Sequence, residues 1–133
     1  MTNPVPGHPL LARRSSGVLL HLTSLPGRHG SGDLGPSAHH FLDWLALSGQ
    51  TLWQILPLTP PGAGHSPYQS PSAFAGSPWL VDLDDLAQAG WLERLPDPGL
   101  DADHCDFARV VPYRLSALRA AWLASDADVL CYM

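Results

Sequence analysis

The sequence predicts an α/β fold built on one βαβ unit, and three observations carry that prediction. GVLLHL (17–22) and TLWQILPL (51–58) are short, nearly continuous apolar runs, the pattern of strands covered on both faces in a parallel sheet. Between them lies a segment with helical periodicity, and parallel strands need such a crossover, normally a right-handed one. The 133 residues suffice for one domain of roughly 100–150 residues, but not for a complete (β/α)8 barrel of about 250.

Each element has a local reason. Residues 1–13 are Pro-rich and mixed and read as a loose leader. The first run ends in TSLPGRHGSGDLGP, whose four Gly and two Pro mark a long turn. Gly35-Pro36 then supplies an N-cap and a proline at the first helical position. Phe41, Leu42, Leu45 and Ala46 form the apolar stripe, flanked by Trp44, and Gly49 is placed to end the helix. The second run stops at Pro57.

Residues 57–78 hold six Pro and three Gly in 22 positions, so no helical or strand period survives. Loops this long inside a domain are usually functional or disordered, and Tyr68 and Phe74 favour an ordered one. WLVDL (79–83) is strand-like. Asp82 caps a short helix through Ala89, which Gly90 ends. After a turn at LPDPG, Pro112 opens a helix to about Leu123, with Leu115, Leu118, Ala121 and Trp122 on its apolar side.

Composition excludes several classes. Hydrophobic residues are 45%, ordinary for a globular domain, and Pro plus Gly stay below the roughly 25–30% of low-complexity chains. The net charge is −5 and all seven basic residues are scattered Arg. No basic stripe can neutralise phosphates, so nucleic acid is not an expected partner. No apolar run approaches the roughly 20 residues needed to span a bilayer, and no signal peptide is read at the N-terminus. Cys105 and Cys131 make no disulfide framework. The expectation is a reduced, cytoplasmic protein.

Motif chemistry is sparse. None of the seven histidines forms an H-x-x-x-H pair, and the cysteines lack C-x-x-C spacing, so no metal is expected. His39 and His40 read as solvated helix surface. His21 ends the first strand, where a barrel carries its site, and reads equally as a satisfied core histidine. Phosphate-cradling glycine motifs are absent, and GHSPY lacks the second glycine of a nucleophile elbow. Asp82, Asp84 and Asp85 read as a helix N-terminus, Asp97, Asp101, Asp103 and Asp106 as a solvated turn, and Asp33 and Asp43 as isolated. None forms the acid/base pair of glycoside chemistry. Tyr68, on the long loop, either packs its own loop or stacks on a sugar face with its hydroxyl free to bond.

LLHLTSLPG, GDLGP, WQILPL, SPYQS and SAFAG, in this order and spacing, resemble the N-terminal region of the amylomaltases, the 4-alpha-glucanotransferases of glycoside hydrolase family 77. The resemblance covers about residues 14–123. It implies the N-terminal part of a (β/α)8 barrel: a first βαβ unit over 14–78 with its substrate-side loop at 57–78, the start of an inserted helical subdomain over 79–123, and an unmatched tail at 124–133. The implied activity is transfer of α-1,4-glucan segments to glucose or other glucans, with maltodextrins and maltose as partners and no cofactor. An Asp nucleophile, a Glu acid/base and a second Asp would act by retaining double displacement. Tyr68 resembles the family's sugar-contacting tyrosine, and Ser66 a neighbouring contact.

The chain departs from the family at several positions. Leu22 stands for the usual Pro, Ala63 for a frequent Tyr, His65 for Asp, Pro71 for Phe, Ser77 for Asn, and Val111 for a tyrosine of some members. Ala63 cannot stack on a sugar, and His65 removes a carboxylate beside Tyr68. The family's three catalytic carboxylates belong to segments past residue 133, and the lone Glu93 has no family role. The chain is therefore expected to be an N-terminal portion of a glucanotransferase, inactive alone. The alternative is a non-catalytic glucan-binding or interaction module. Against that, two barrel strands leave unpaired edges and leave Trp44, Trp53 and Trp122 without their usual partners. An α-amylase-type hydrolase shares the barrel, but SPYQS and SAFAG favour the transferase.

Overall fold

A computed structural model describes residues 14–93, 95 and 98–125. The expected leader, Asp97 of the expected turn, and most of the 124–133 tail with Cys131 lie outside the described residues. Strands β1 (Gly17–Leu19) and β2 (Leu52–Gln54) pair in parallel, with Val18 opposite Trp53. This is the βαβ order expected from the two apolar runs. Gly17 allows the close approach, since a Cβ there would overlap the Leu52 carbonyl.

Both strands are shorter than the apolar runs, and coverage on both faces is not observed. Past Leu20 the chain enters a 3-10 turn at Leu22–Ser24, so the rest of the first run packs as turn rather than as ladder. Leu19 is 58% exposed and Leu52 is also exposed, because helix α1 (Pro36–Leu47) packs on one side only. Ala38 joins a buried cluster with Leu22, Leu25 and Leu80, against which Phe41 and Trp53 pack. The Trp53 indole N–H donates to the Leu20 carbonyl at 2.8 Å and thereby ties the strands together on that side.

The bounds of α1 follow its signals. Gly35 is its extended N-cap and Pro36 its first residue. At the other end Gly49 takes φ +72, its N–H donating to Ala46 and the Gln50 N–H to Leu45. This double bond pattern ends a helix through a left-handed glycine. The buried stripe is rotated from the expected one. Ala38, Phe41 and Leu45 face inward, while Leu42, Trp44 and Leu47 are exposed.

Asp82 caps α2 (Leu83–Gln88) by accepting the Asp84 N–H at 2.9 Å, and Gly90 ends it at φ +79, both as expected. The strand-like reading of 79–83 is corrected. Pro78–Leu80 form a 3-10 turn, started by the proline and closed onto the cap of α2. The start of the last helix is also corrected. Helix α3 runs Phe107–Ala124 with Asp106 as N-cap, so Pro112 lies inside it. The Asp106 carboxylate accepts the Ala108 N–H at 3.0 Å, so this residue, exposed as expected, is also the helix cap. The buried face of α3 is Val110, Arg114, Ala117 and Ala121, with Trp122 exposed instead of buried.

A buried ion pair explains that rotation. Arg114 is 0% exposed, and its Nη2 donates to Asp33 Oδ2 at 2.8 Å and to the Val81 carbonyl at 2.7 Å. Asp33, read as isolated, also accepts the Gly35 N–H through its other oxygen at 3.0 Å. One carboxylate thus holds α3 against the start of α1. A second buried cluster, Leu83, Leu92, Ala117 and Ala121, packs α2 on α3. Among the described residues no helix is long and apolar enough to cross a membrane.

Candidate functional site

The site is built where the chain leaves the C-terminal ends of β1 and β2. From β2 it runs into the long loop, which is tied at its base by the Ser77 N–H donating to the Leu58 carbonyl at 2.8 Å. Gly62 lets the loop cross itself, because a Cβ there would overlap the Gln69 carbonyl oxygen. Serines order the far side. Ser70 Oγ donates to the Ser72 carbonyl at 2.6 Å, and Ser72 Oγ accepts the N–H groups of Phe74 and Ala75 at 3.3 and 3.1 Å. Side-chain acceptors of this kind substitute for a regular ladder in turns.

Ser66 and Tyr68 lie on one turn of this loop. The Ser66 hydroxyl accepts the Tyr68 N–H at 3.4 Å, a long contact, and the Ser66 carbonyl accepts the Gln69 N–H at 3.1 Å. Ser66 is half-buried, whereas the Tyr68 ring is 73% exposed. Tyr68 therefore does not pack its own loop. Phe74 is also fully exposed.

Beside this turn lies a cleft of about 200 Å³ whose walls include His21, Thr23, Thr59, His65, Trp79 and Phe107. His65, Trp79 and Phe107 form a three-ring cluster, with His65 stacked on Phe107 at a centroid distance of 5.1 Å. Sequence reasoning missed this cluster, because its three members come from separate segments. His21 lines the cleft, and burial lowers its pKa from the ordinary value. Its Nδ1 is enclosed with no hydrogen-bond partner among the described residues, so of its two readings the satisfied core histidine is not what the structure shows.

No carboxylate lines the cleft among the described residues. Asp82 caps α2, and burial raises its pKa; Asp33 is held by Arg114. Among the described residues no three His, Cys, Asp or Glu side chains are grouped so as to hold a metal. His39 and His40 are exposed on α1. What the arrangement offers is an exposed aromatic ring on an ordered loop next to a hydroxyl- and ring-lined cleft.

Comparison with known proteins shows the family. The sequence profile of the 4-alpha-glucanotransferase family matches residues 20–130. The 4-alpha-glucanotransferase of Thermus thermophilus is 49% identical over 109 residues, covering 82% of this chain and 22% of the relative. That of Synechocystis is 47% identical over 116 residues, covering 85% of this chain and 23% of the relative. Among solved structures, the amylomaltase from Streptococcus agalactiae in complex with acarbose superposes with a TM-score of 0.77 at 41% identity. That match covers 84% of this chain and 23% of the amylomaltase. The chain thus spans between a fifth and a quarter of the length of these relatives, and it belongs to glycoside hydrolase family 77, the 4-alpha-glucanotransferases.

Proposed function

We propose that this chain supplies the first βαβ unit of a (β/α)8 4-alpha-glucanotransferase, residues 14–78, and the start of its inserted subdomain, residues 79–123. In that unit Tyr68 and Ser66 contact an α-1,4-glucan. One observation carries the reading: Tyr68 stands 73% exposed on a turn braced by Ser66, in a loop leaving the C-terminal end of a parallel strand. Barrel enzymes carry their sites on those loops. A tyrosine ring stacks on the apolar face of a sugar while its hydroxyl bonds a sugar oxygen. The acarbose complex of the streptococcal amylomaltase supports a glucan as the ligand class. The exposed Leu19 and Leu52 on a two-stranded sheet favour a barrel segment over a self-contained module.

Retaining transfer needs two carboxyl groups about 5–5.5 Å apart across the scissile bond. The cleft walls bring no such pair from the described residues, so the 133-residue chain is expected to bind glucan without transferring it. Titration of the isotopically labelled chain with maltotriose, followed at the Tyr68 amide, tests the binding. Incubation with maltotriose tests the absence of transfer, read as no glucose and no longer maltodextrins. Binding that survives Tyr68→Ala unchanged would overturn the assignment, and clear disproportionation would overturn the claim of inactivity.

A further inference from the structure

We infer that His65 is the positioning residue that presents Tyr68, by locking the loop onto the start of α3 with an aromatic stack. This rests on the reading of Tyr68 as the glucan contact. The backbone gives the first reason. His65 has φ +58, the one positive φ outside glycine among the described residues, and it follows Gly64 at φ +75. Two successive left-handed residues reverse the chain just before Ser66. Among residues with a side chain, Asn, Asp and His adopt this conformation most readily.

The side chain gives the second reason. The imidazole stacks on Phe107 at 5.1 Å and 22°, and meets Trp79 at 5.6 Å and 58°, while Trp79 and Phe107 meet each other at 5.8 Å and 37°. Phe107 is the first residue of α3, and Trp79 lies in the 3-10 turn before α2. The stack therefore joins the loop to two other segments. The His65 ring, itself solvent-exposed, lies against Phe107 and Trp79. The turn that follows carries the exposed Tyr68, and Ser66 accepts the Tyr68 and Gln69 N–H groups through its hydroxyl and its carbonyl.

The position thus asks for two properties at once, a left-handed backbone and a planar ring. Of the three residue types that tolerate the backbone, only histidine has the ring. Asp, which the family resemblance places here, satisfies the backbone and has nothing to stack. The departure at position 65 replaces a carboxylate with a ring that finds its partners in Phe107 and Trp79.

The test separates ring from backbone. His65→Asn keeps the left-handed tolerance and removes the ring, whereas His65→Phe keeps a ring. In the full chain, His65→Asn is expected to speed exchange of the Tyr68 and Gln69 amides about tenfold, as a local opening does, and to weaken maltotriose binding several-fold. The melting temperature should stay near that of the parent. His65→Phe restores a ring but not the left-handed tolerance, so it is expected to recover both readouts only in part. Phe107→Ala should loosen the loop in the parent but add little in the His65→Asn background. Unchanged exchange in His65→Asn, exchange in His65→Phe as fast as in His65→Asn, or additivity of His65→Asn with Phe107→Ala would each overturn the inference. Tyr68→Ala separates the two readings. It should abolish maltotriose binding while leaving Gln69 exchange unchanged. If binding persists, the glucan assignment falls, and amide exchange still decides the role of His65.

Discussion

Arg114 on α3 and Asp33 ahead of α1 meet at 2.8 Å, and the guanidinium is wholly enclosed. Its Nε and Nη1 are buried without a hydrogen-bond partner among the described residues, so the pair stands on Asp33 and the Val81 carbonyl. Removing one member of an enclosed pair leaves an uncompensated charge. Arg114→Ala is expected to destabilise the chain by about 3–5 kcal/mol. The double variant Arg114→Met with Asp33→Asn should lose less, because Asn keeps the acceptor for the Gly35 N–H. Urea denaturation measures both, and an Arg114→Ala effect under about 1 kcal/mol would contradict the finding.

Asp82 and His21 give opposite pH slopes. Burial raises the Asp82 carboxyl above its ordinary value of 3.8, against the opposing pull of the Asp84 N–H. The folded chain then holds that proton more tightly than the unfolded one. Stability from this group therefore falls as pH rises through the interval just above 3.8. Asp82→Asn retains the cap and should raise stability above that interval, while Asp82→Ala loses the cap at a cost of about 1 kcal/mol. Burial lowers the His21 pKa below 6.5, so its contribution is lost as pH falls through the interval below that value. Stability–pH curves of the parent and of Asp82→Asn, subtracted, should show only the Asp82 slope.

Gly30 and Gly49 separate backbone from packing. Both have positive φ, +80 and +72. A Cβ on Gly30 would come within 2.6 Å of Val110 Cγ2 and 2.8 Å of Leu100 Cδ1, while one on Gly49 would meet nothing within 4 Å. Gly49→Ala should cost about 1–2 kcal/mol for the left-handed backbone. Gly30→Ala should cost that and a further 1–3 kcal/mol or so of overpacking. Equal melting temperatures for the two variants would refute the crowding at Gly30.

Tyr68→Phe dissects the proposed sugar contact. It keeps the ring and removes the hydroxyl, so maltotriose affinity should fall by about 2–10-fold, the value of one neutral hydrogen bond of about 0.5–1.5 kcal/mol. Because the ring is exposed, stability should stay within about ±0.5 kcal/mol of the parent. A larger loss of stability would mean that Tyr68 holds the loop rather than a ligand.

Much of this chain was legible from local signals. Gly35-Pro36 and Gly49 bound α1, and Asp82 and Gly90 bound α2, because a cap and a left-handed glycine act on their own neighbours. The parallel pairing followed from the two apolar runs. What failed depended on distant partners. The rotation of α3 is set by Arg114 reaching Asp33 across 81 residues, and no periodicity announces a buried arginine. Pro112 looked like a helix start because the competing cap, Asp106, lay in a stretch rich in Asp. Ser66 and Tyr68 of the candidate site stand out in the sequence through the SPYQS motif, whereas the stack on His65 leaves no local signal. Its rings come from positions 65, 79 and 107, which the sequence leaves unrelated.

The span between Asp33 and Arg114 also sets an order of events during synthesis. At about 5–20 residues per second, Arg114 leaves the ribosome roughly 4–16 s after Asp33. Helices relax in about 0.1–1 μs, so α1 has many opportunities to form and dissolve within that delay. Throughout it the Asp33 carboxylate lacks its guanidinium partner, and the glycine-rich turn before α1 has only its earlier contacts, such as the Leu34 N–H on the Leu80 carbonyl. Final seating of that turn is thus timed by the arrival of the third helix, and not by the meeting of the two strands.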